Sequence, residues 1–141
     1  MTQLEPGDLE LFTDSGAAVV HCPSSNLKLA SGYCDISQYR DEGIRVGLGT
    51  DGSASNNSLD MFKEVHVASL LAKHETNDPE QGNAKEMIRM ATLGSAEALG
   101  LNELIGSLEA GKAADIIAID TLNVDLQPVL DPFATVIHGN C

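Results

Sequence analysis

The stretch RVGLGTDGSASNNSLDMFKE, Arg45 to Glu64, decides how this chain is read. Its first residues alternate small and branched apolar side chains, the pattern of a strand buried on both faces as in a parallel sheet. The strand is expected to end at Asp51. Gly52 and the serines and asparagines after it are turn formers, and Asn57 or Ser58 can cap a helix that runs on through about His74. On that helix Leu59, Phe62, Val65, Leu70 and Leu71 are available to a buried face, whereas Lys63 and Glu64 read as a solvated face. His66 and His74 read as surface or partly packed residues, because their separation is not that of an i, i+4 ligand pair. A carboxylate at the C-terminal end of a buried parallel strand stands where such folds do chemistry.

On the N-terminal side, PGDLELFTDSG places Pro6 and Asp8 near a helix start and Gly16 just past its end. AAVVHCP, Ala17 to Pro23, is a compact apolar run and reads as a second buried strand ending at His21, with SSNLKLASG following as a loop. Asp35 can cap a helix over Ile36 to Glu42, stopped by Gly43. The order helix, strand, helix, strand calls for a parallel sheet with right-handed crossovers, and two strands are too few to complete one. Beyond NDPEQGN, Asn83 starts a helix over AKEMIRMATL, and a further helical piece, SAEALG, ends at Gly100. The segment SLEAGKAADIIAID has a turn at Ala110-Gly111 and a strand near Ala114 to Asp120, which belongs to a different, β-rich unit. The tail from Val124 to Cys141 is weakly patterned, with Pro128 and Pro132 limiting regular structure.

With 43% apolar and 21% charged residues, 141 residues can enclose a core. Twenty-one acidic against eight basic residues, a formal charge of −13, argue against nucleic acid or an anionic membrane surface as partner. No apolar stretch approaches the roughly 20 residues of a membrane span. Cys22, Cys34 and Cys141 form no C-x-x-C pair and give neither a disulfide framework nor a zinc-ribbon pattern, so a reducing, cytoplasmic setting is expected, with Cys22 and Cys34 as buried thiols rather than a metal pair. TQLEPGD, after Met1, looks like the inside of a longer chain.

His21 and Asp51 close two successive strands at the same end. In a (β/α)-barrel that end is the mouth where active sites form, and a carboxylate there can hold a divalent metal or take a proton from bound water. A histidine satisfied by neighbouring backbone, and an aspartate serving a turn or helix cap, are the structural alternatives, and spacing leaves both open.

Whole stretches carry more. HCPSSNLKLASG, VGLGTDGSASNNSLDMFKE and GSLEAGKAADIIAID together resemble the C-terminal part of the amidohydrolase superfamily, in its chlorohydrolase/cytosine-deaminase-like branch. Within that branch the resemblance is nearest to 5-methylthioadenosine/S-adenosylhomocysteine deaminases. It implies an α/β fold: the last strands and helices of a (β/α)8 TIM barrel over residues 1–104, and over 105–141 a segment of the small β-sandwich domain and tail. It implies hydrolytic deamination of a purine nucleoside-like or related N-heterocyclic small molecule, with one zinc or iron ion activating water. A guanine-type deaminase or a triazine-type chlorohydrolase is the neighbouring alternative. Asp51 would end the eighth strand, bind the metal and accept the water's proton; His21, Ser25 and Asn26 would line the substrate pocket, and Gly52, Ser53 and Asn56 would shape the Asp51 loop.

The same resemblance implies ligands absent from this sequence: an H-x-H from the first strand, histidines from the fifth and sixth, and a proton-shuttling glutamate. The expectation is a fragment that binds metal weakly or not at all and is inactive alone. Its open strand edges are expected to drive homo-oligomerisation, and a non-catalytic binding or oligomerising module is the competing reading.

Overall fold

The computed structural model describes residues 2–139. Strands β1 (Ala18–His21) and β2 (Arg45–Leu48) pair in parallel, with Ala18 opposite Arg45 and His21 opposite Leu48. They form the one sheet among the described residues. Helix α1 (Asp8–Ser15) precedes β1, and α2 (Pro23–Lys28) and α3 (Ile36–Asp41) make the crossover to β2. After β2 come α4 (Ser53–Asn56), α5 (Met61–Thr76), α6 (Ala84–Arg89), a π-helical turn over Met90–Gly94, α7 (Ser95–Leu99) and, near the end, α8 (Pro132–His138).

Local chemistry explains most boundaries. Asp35 Oδ1 accepts from the Ser37 and Gln38 amides at 3.0 and 3.3 Å and so starts α3. Gly43, at φ 72, then turns the chain into β2. The cap of α5 is Asp60, which accepts from the Phe62 and Lys63 amides, rather than Asn57 or Ser58. Asn57, at φ 66, instead ends the short α4.

The core lies between the sheet and the helices on one side of it. Val19, Val46 and Leu48 meet Ile36 and Tyr39 of α3, Val65, Ala68 and Ala72 of α5, and Met87 and Met90. Phe12 of α1 closes on Tyr39 edge to face, with ring centroids 6.3 Å apart. Ser95 ties α7 to the end of β2, its Oγ accepting from the Leu48 amide at 3.0 Å. That approach requires Gly47, because a Cβ there would lie 2.9 Å from Ser95 Cα. Gly47→Ala is therefore expected to cost about 1–3 kcal/mol, as overpacking against backbone does, measured by urea unfolding.

Several sequence expectations are corrected. β2 stops at Leu48, three residues before Asp51, since only Arg45–Leu48 find partners on β1. β1 is not buried on both faces, Val20 being 48% exposed. The SSNLKLASG segment is not all loop: Pro23, with its fixed φ and no N–H to satisfy, opens α2. Leu59 and Leu70 are exposed, and Glu64 is 0% exposed rather than solvated. No strand forms near Ala114 to Asp120, or elsewhere in the described part of 105–139, because extended backbone needs a ladder partner and that segment finds none. In the tail, Asp131 caps α8 through the Phe133 amide at 2.8 Å and Pro132 starts it instead of preventing it. Cys141 lies outside the described residues.

Candidate active site

Past β2, Gly49 and Thr50 carry the chain to Asp51, whose φ of 59 lies in the left-handed region. Aspartate is among the few non-glycine residues tolerated there, and such outliers gather at functional sites. Its exposed carboxylate is held from three directions. Ser25 Oγ donates to Oδ2 at 2.7 Å, Ser55 Oγ to the same oxygen at 2.8 Å, and the Gly52 amide to Oδ1 at 2.7 Å. These bonds, Ser25's first, hold the carboxyl below the usual carboxylate range, so Asp51 is ionised at neutral pH.

Ser25 reaches Asp51 because α2 begins directly after β1, laying its first turn against the loop that follows β2. Its hydroxyl proton is engaged by Asp51, which leaves the oxygen's lone pairs for a ligand. His21 and Asn26, expected beside it, line a different cleft. Alternation along β1 turns Val19 and His21 to the helix-covered side, and His21 is 2% exposed. Burial lowers its pKa to about 4, so the imidazole is neutral, and its Nδ1 is buried without a hydrogen-bond partner. The cleft, about 380 Å³, is also lined by Tyr33, Cys34, Leu71 and Glu75, and the Tyr33 hydroxyl is likewise buried without a partner.

Sequence reasoning does not place two further residues near Asp51. Cys22 is half-buried, and its thiol is raised first by burial and then by the Asp51 charge. Glu64, from α5, accepts from the Ser24 amide at 3.0 Å and from Asn56 Nδ2 at 2.8 Å. A sequence signal for it exists: Glu64, Ala68 and Ala72 recur every four residues along one buried helical face.

Asp51 suits a divalent cation as a single donor. Its partners are neutral, it joins no ion pair among the described residues, and its bonds leave part of the carboxylate's lone-pair capacity open. The set is incomplete, however, because among the described residues no three His, Cys, Asp or Glu side chains cluster to hold a metal ion. A catalytic zinc takes about three protein ligands.

The sequence matches the amidohydrolase family over residues 1–141. It is 50% identical to the 5-methylthioadenosine/S-adenosylhomocysteine deaminase of Teredinibacter turnerae over 138 residues, 98% of this chain and 31% of that protein. Among solved structures, an adenosine deaminase from Xanthomonas campestris with bound zinc superposes with a TM-score of 0.92 at 44% identity, over 99% of this chain and 32% of that one. Atrazine chlorohydrolase from Arthrobacter aurescens, complexed with zinc, superposes with a TM-score of 0.87 at 36% identity, over 99% and 31%. The chain thus spans about a third of the length of the relatives it matches. With the family match running over the whole sequence, and with half the residues of a relative's matching segment identical, the chain belongs to the amidohydrolase family.

Proposed function

We propose that this chain supplies the last strands and the Asp51 arm of a (β/α)8 hydrolase that deaminates a purine nucleoside-like or related N-heterocyclic compound. In this reading residues 1–104 belong to the barrel, and 105–141 to the small β-sandwich domain and tail. The observation that carries it is the Asp51 carboxylate: ionised, exposed, fixed just beyond a parallel strand, and dressed only by neutral donors. Asp51 would be one of the residues holding the metal and would accept a proton, while Ser25 and Ser55 fix the direction of its lone pairs. Ser25 is then the pocket residue beside Asp51, while His21, neutral and with Nδ1 unpartnered, and Asn26 line the second cleft. A zinc or iron ion held in part by Asp51 would supply activated water, the remaining donors coming from outside the described residues. By itself the chain is inactive.

A chimera tests this. The chain replaces the matching segment of the Teredinibacter turnerae deaminase, and the product is assayed for deamination of 5′-methylthioadenosine, adenosine and guanine by ultraviolet absorbance, and for chloride release from a chlorotriazine. Deamination of an adenosine-type substrate is the expected result. Chloride release or guanine deamination alone would move the parent to the neighbouring branches, and a folded chimera with none of these activities would overturn the reading.

A second reading, self-association, is favoured by the exposed Val20 on a sheet whose outer edges have no strand partner among the described residues. Analytical ultracentrifugation is expected to show the chain assembling as concentration rises. A compact monomer across the whole range would exclude it.

A further inference from the structure

The most completely buried acidic group in the described structure is the one farthest from being explained by the carboxylate chemistry above. Glu64 is 0% exposed, and burying a carboxyl group is costly unless its oxygens are bonded. Both are. Oε2 accepts from the Ser24 amide at 3.0 Å, in the first turn of α2 after β1, and Oε1 accepts from Asn56 Nδ2 at 2.8 Å, at the end of α4 after β2. Asn56 Nδ2 donates again, to Thr50 O at 2.7 Å, immediately before Asp51. One carboxyl group therefore joins the backbone next to Ser25 to the backbone next to Asp51.

We propose that Glu64 is a positioning residue: it braces α2 against α4, the short helices that follow the two strands, so that Ser25 and Asp51 stay within hydrogen-bonding distance. The assignment rests on reading Asp51 as the reacting carboxylate; the brace itself is a statement about this chain alone. Geometry favours a brace over simple helix support. Ser24 lies forty residues before Glu64 and Asn56 eight before it, so the contacts span three separate elements rather than one turn of α5. A buried carboxyl that only filled space would be replaceable by an apolar residue, and here each oxygen would leave an amide donor unsatisfied if it were removed. A carboxyl also fits this position better than an amide, since both groups facing it are donors.

Amide hydrogen exchange on the 141-residue chain, followed by NMR, tests the brace without substrate or metal. Glu64→Gln keeps the volume but turns one acceptor into a donor facing a donor. The Ser24 amide is expected to exchange about tenfold faster or more, the size of a lost hydrogen bond to a carboxylate. The Gly52 amide, which bonds Asp51 and not Glu64, is expected to accelerate with it, while the Leu48 amide of the sheet does not. A folded Glu64→Gln chain in which Ser24 accelerates and Gly52 does not would overturn the proposal, leaving Glu64 as local support for α2. If Glu64→Gln does not fold, Asn56→Ala decides: it cuts the brace on the α4 side only, and Gly52 exchange unchanged relative to Leu48 refutes the idea. Loss of deaminase activity in the chimera would sink the Asp51 reading while leaving these exchange results standing.

Discussion

Asp51→Asn is expected to lower kcat in the chimeric deaminase by roughly 10²–10⁴-fold, the contribution of a positioned proton acceptor, with thermal stability nearly unchanged. The geometry makes this a test of charge rather than of folding. Oδ1 of an asparagine can still accept from the Gly52 amide, and the Ser25 and Ser55 hydroxyls can rotate to accept from the new amide where they now donate to Oδ2. Asparagine is also at ease in the left-handed conformation that Asp51 adopts. What is lost is the negative charge and the basic lone pairs. Bound zinc or iron, measured by elemental analysis of the same samples, is expected to fall together with activity. Ser25→Ala should act in the same direction but less, because it removes the first of the bonds that keep the carboxyl acidic. The acid limb of its pH–rate profile is expected to move upward, since a carboxyl with fewer donors holds its proton to higher pH. Full activity in Asp51→Asn would end the assignment of this residue to chemistry.

The parts of this molecule that can be read from sequence are those decided within a few residues. Asp35 and Asn83 as caps, Gly16 and Gly100 as helix ends, and the strand closing at His21 all rest on local backbone chemistry, and all are observed, whereas the second strand closes at Leu48 and not at Asp51. The failures are of two physical kinds. Pro23 and Pro132 suggest an end to regular structure, yet a proline at a helix's first position meets no penalty, because its missing N–H has no intrahelical partner there. Glu64 and the 114–120 segment mislead because their environment is set by distant chain. Glu64 is buried by short helices that follow two different strands, and the 114–120 segment finds no ladder partner among the described residues. The site is legible in part for the same reason. Asp51 stands out by its place beyond a strand end, whereas its bond to Ser25, its nearness to Cys22 and the separate cleft around His21 depend on how two loops fold over one sheet.

Stability of the chain is expected to fall by about 3 kcal/mol between pH 7 and pH 4 on account of His21 alone. Burial lowers its folded-state pKa from 6.5 to about 4, so between those values the unfolded chain binds a proton that the folded chain refuses. The stability that neutral His21 allows is therefore fully present above pH 6.5, is lost as pH falls, and levels off only below the folded-state pKa of about 4. Each tenfold difference in proton affinity is worth ~1.4 kcal/mol, which sets the size. His138, lowered by burial and then by His66 and Lys73, adds a loss of the same sign. Asp51 acts elsewhere: its depressed pKa withdraws stability only as pH falls through the carboxylate range, so the two effects separate along the pH axis. Urea unfolding at a series of pH values checks this, comparing the chain with His21→Phe, which cannot titrate. The variant is expected to lose about one proton's worth of slope between pH 6.5 and 4 while His138→Gln keeps it. Equal slopes in the chain and His21→Phe would mean that His21 takes up its proton inside the fold and that the buried ring is a cation in this pH range.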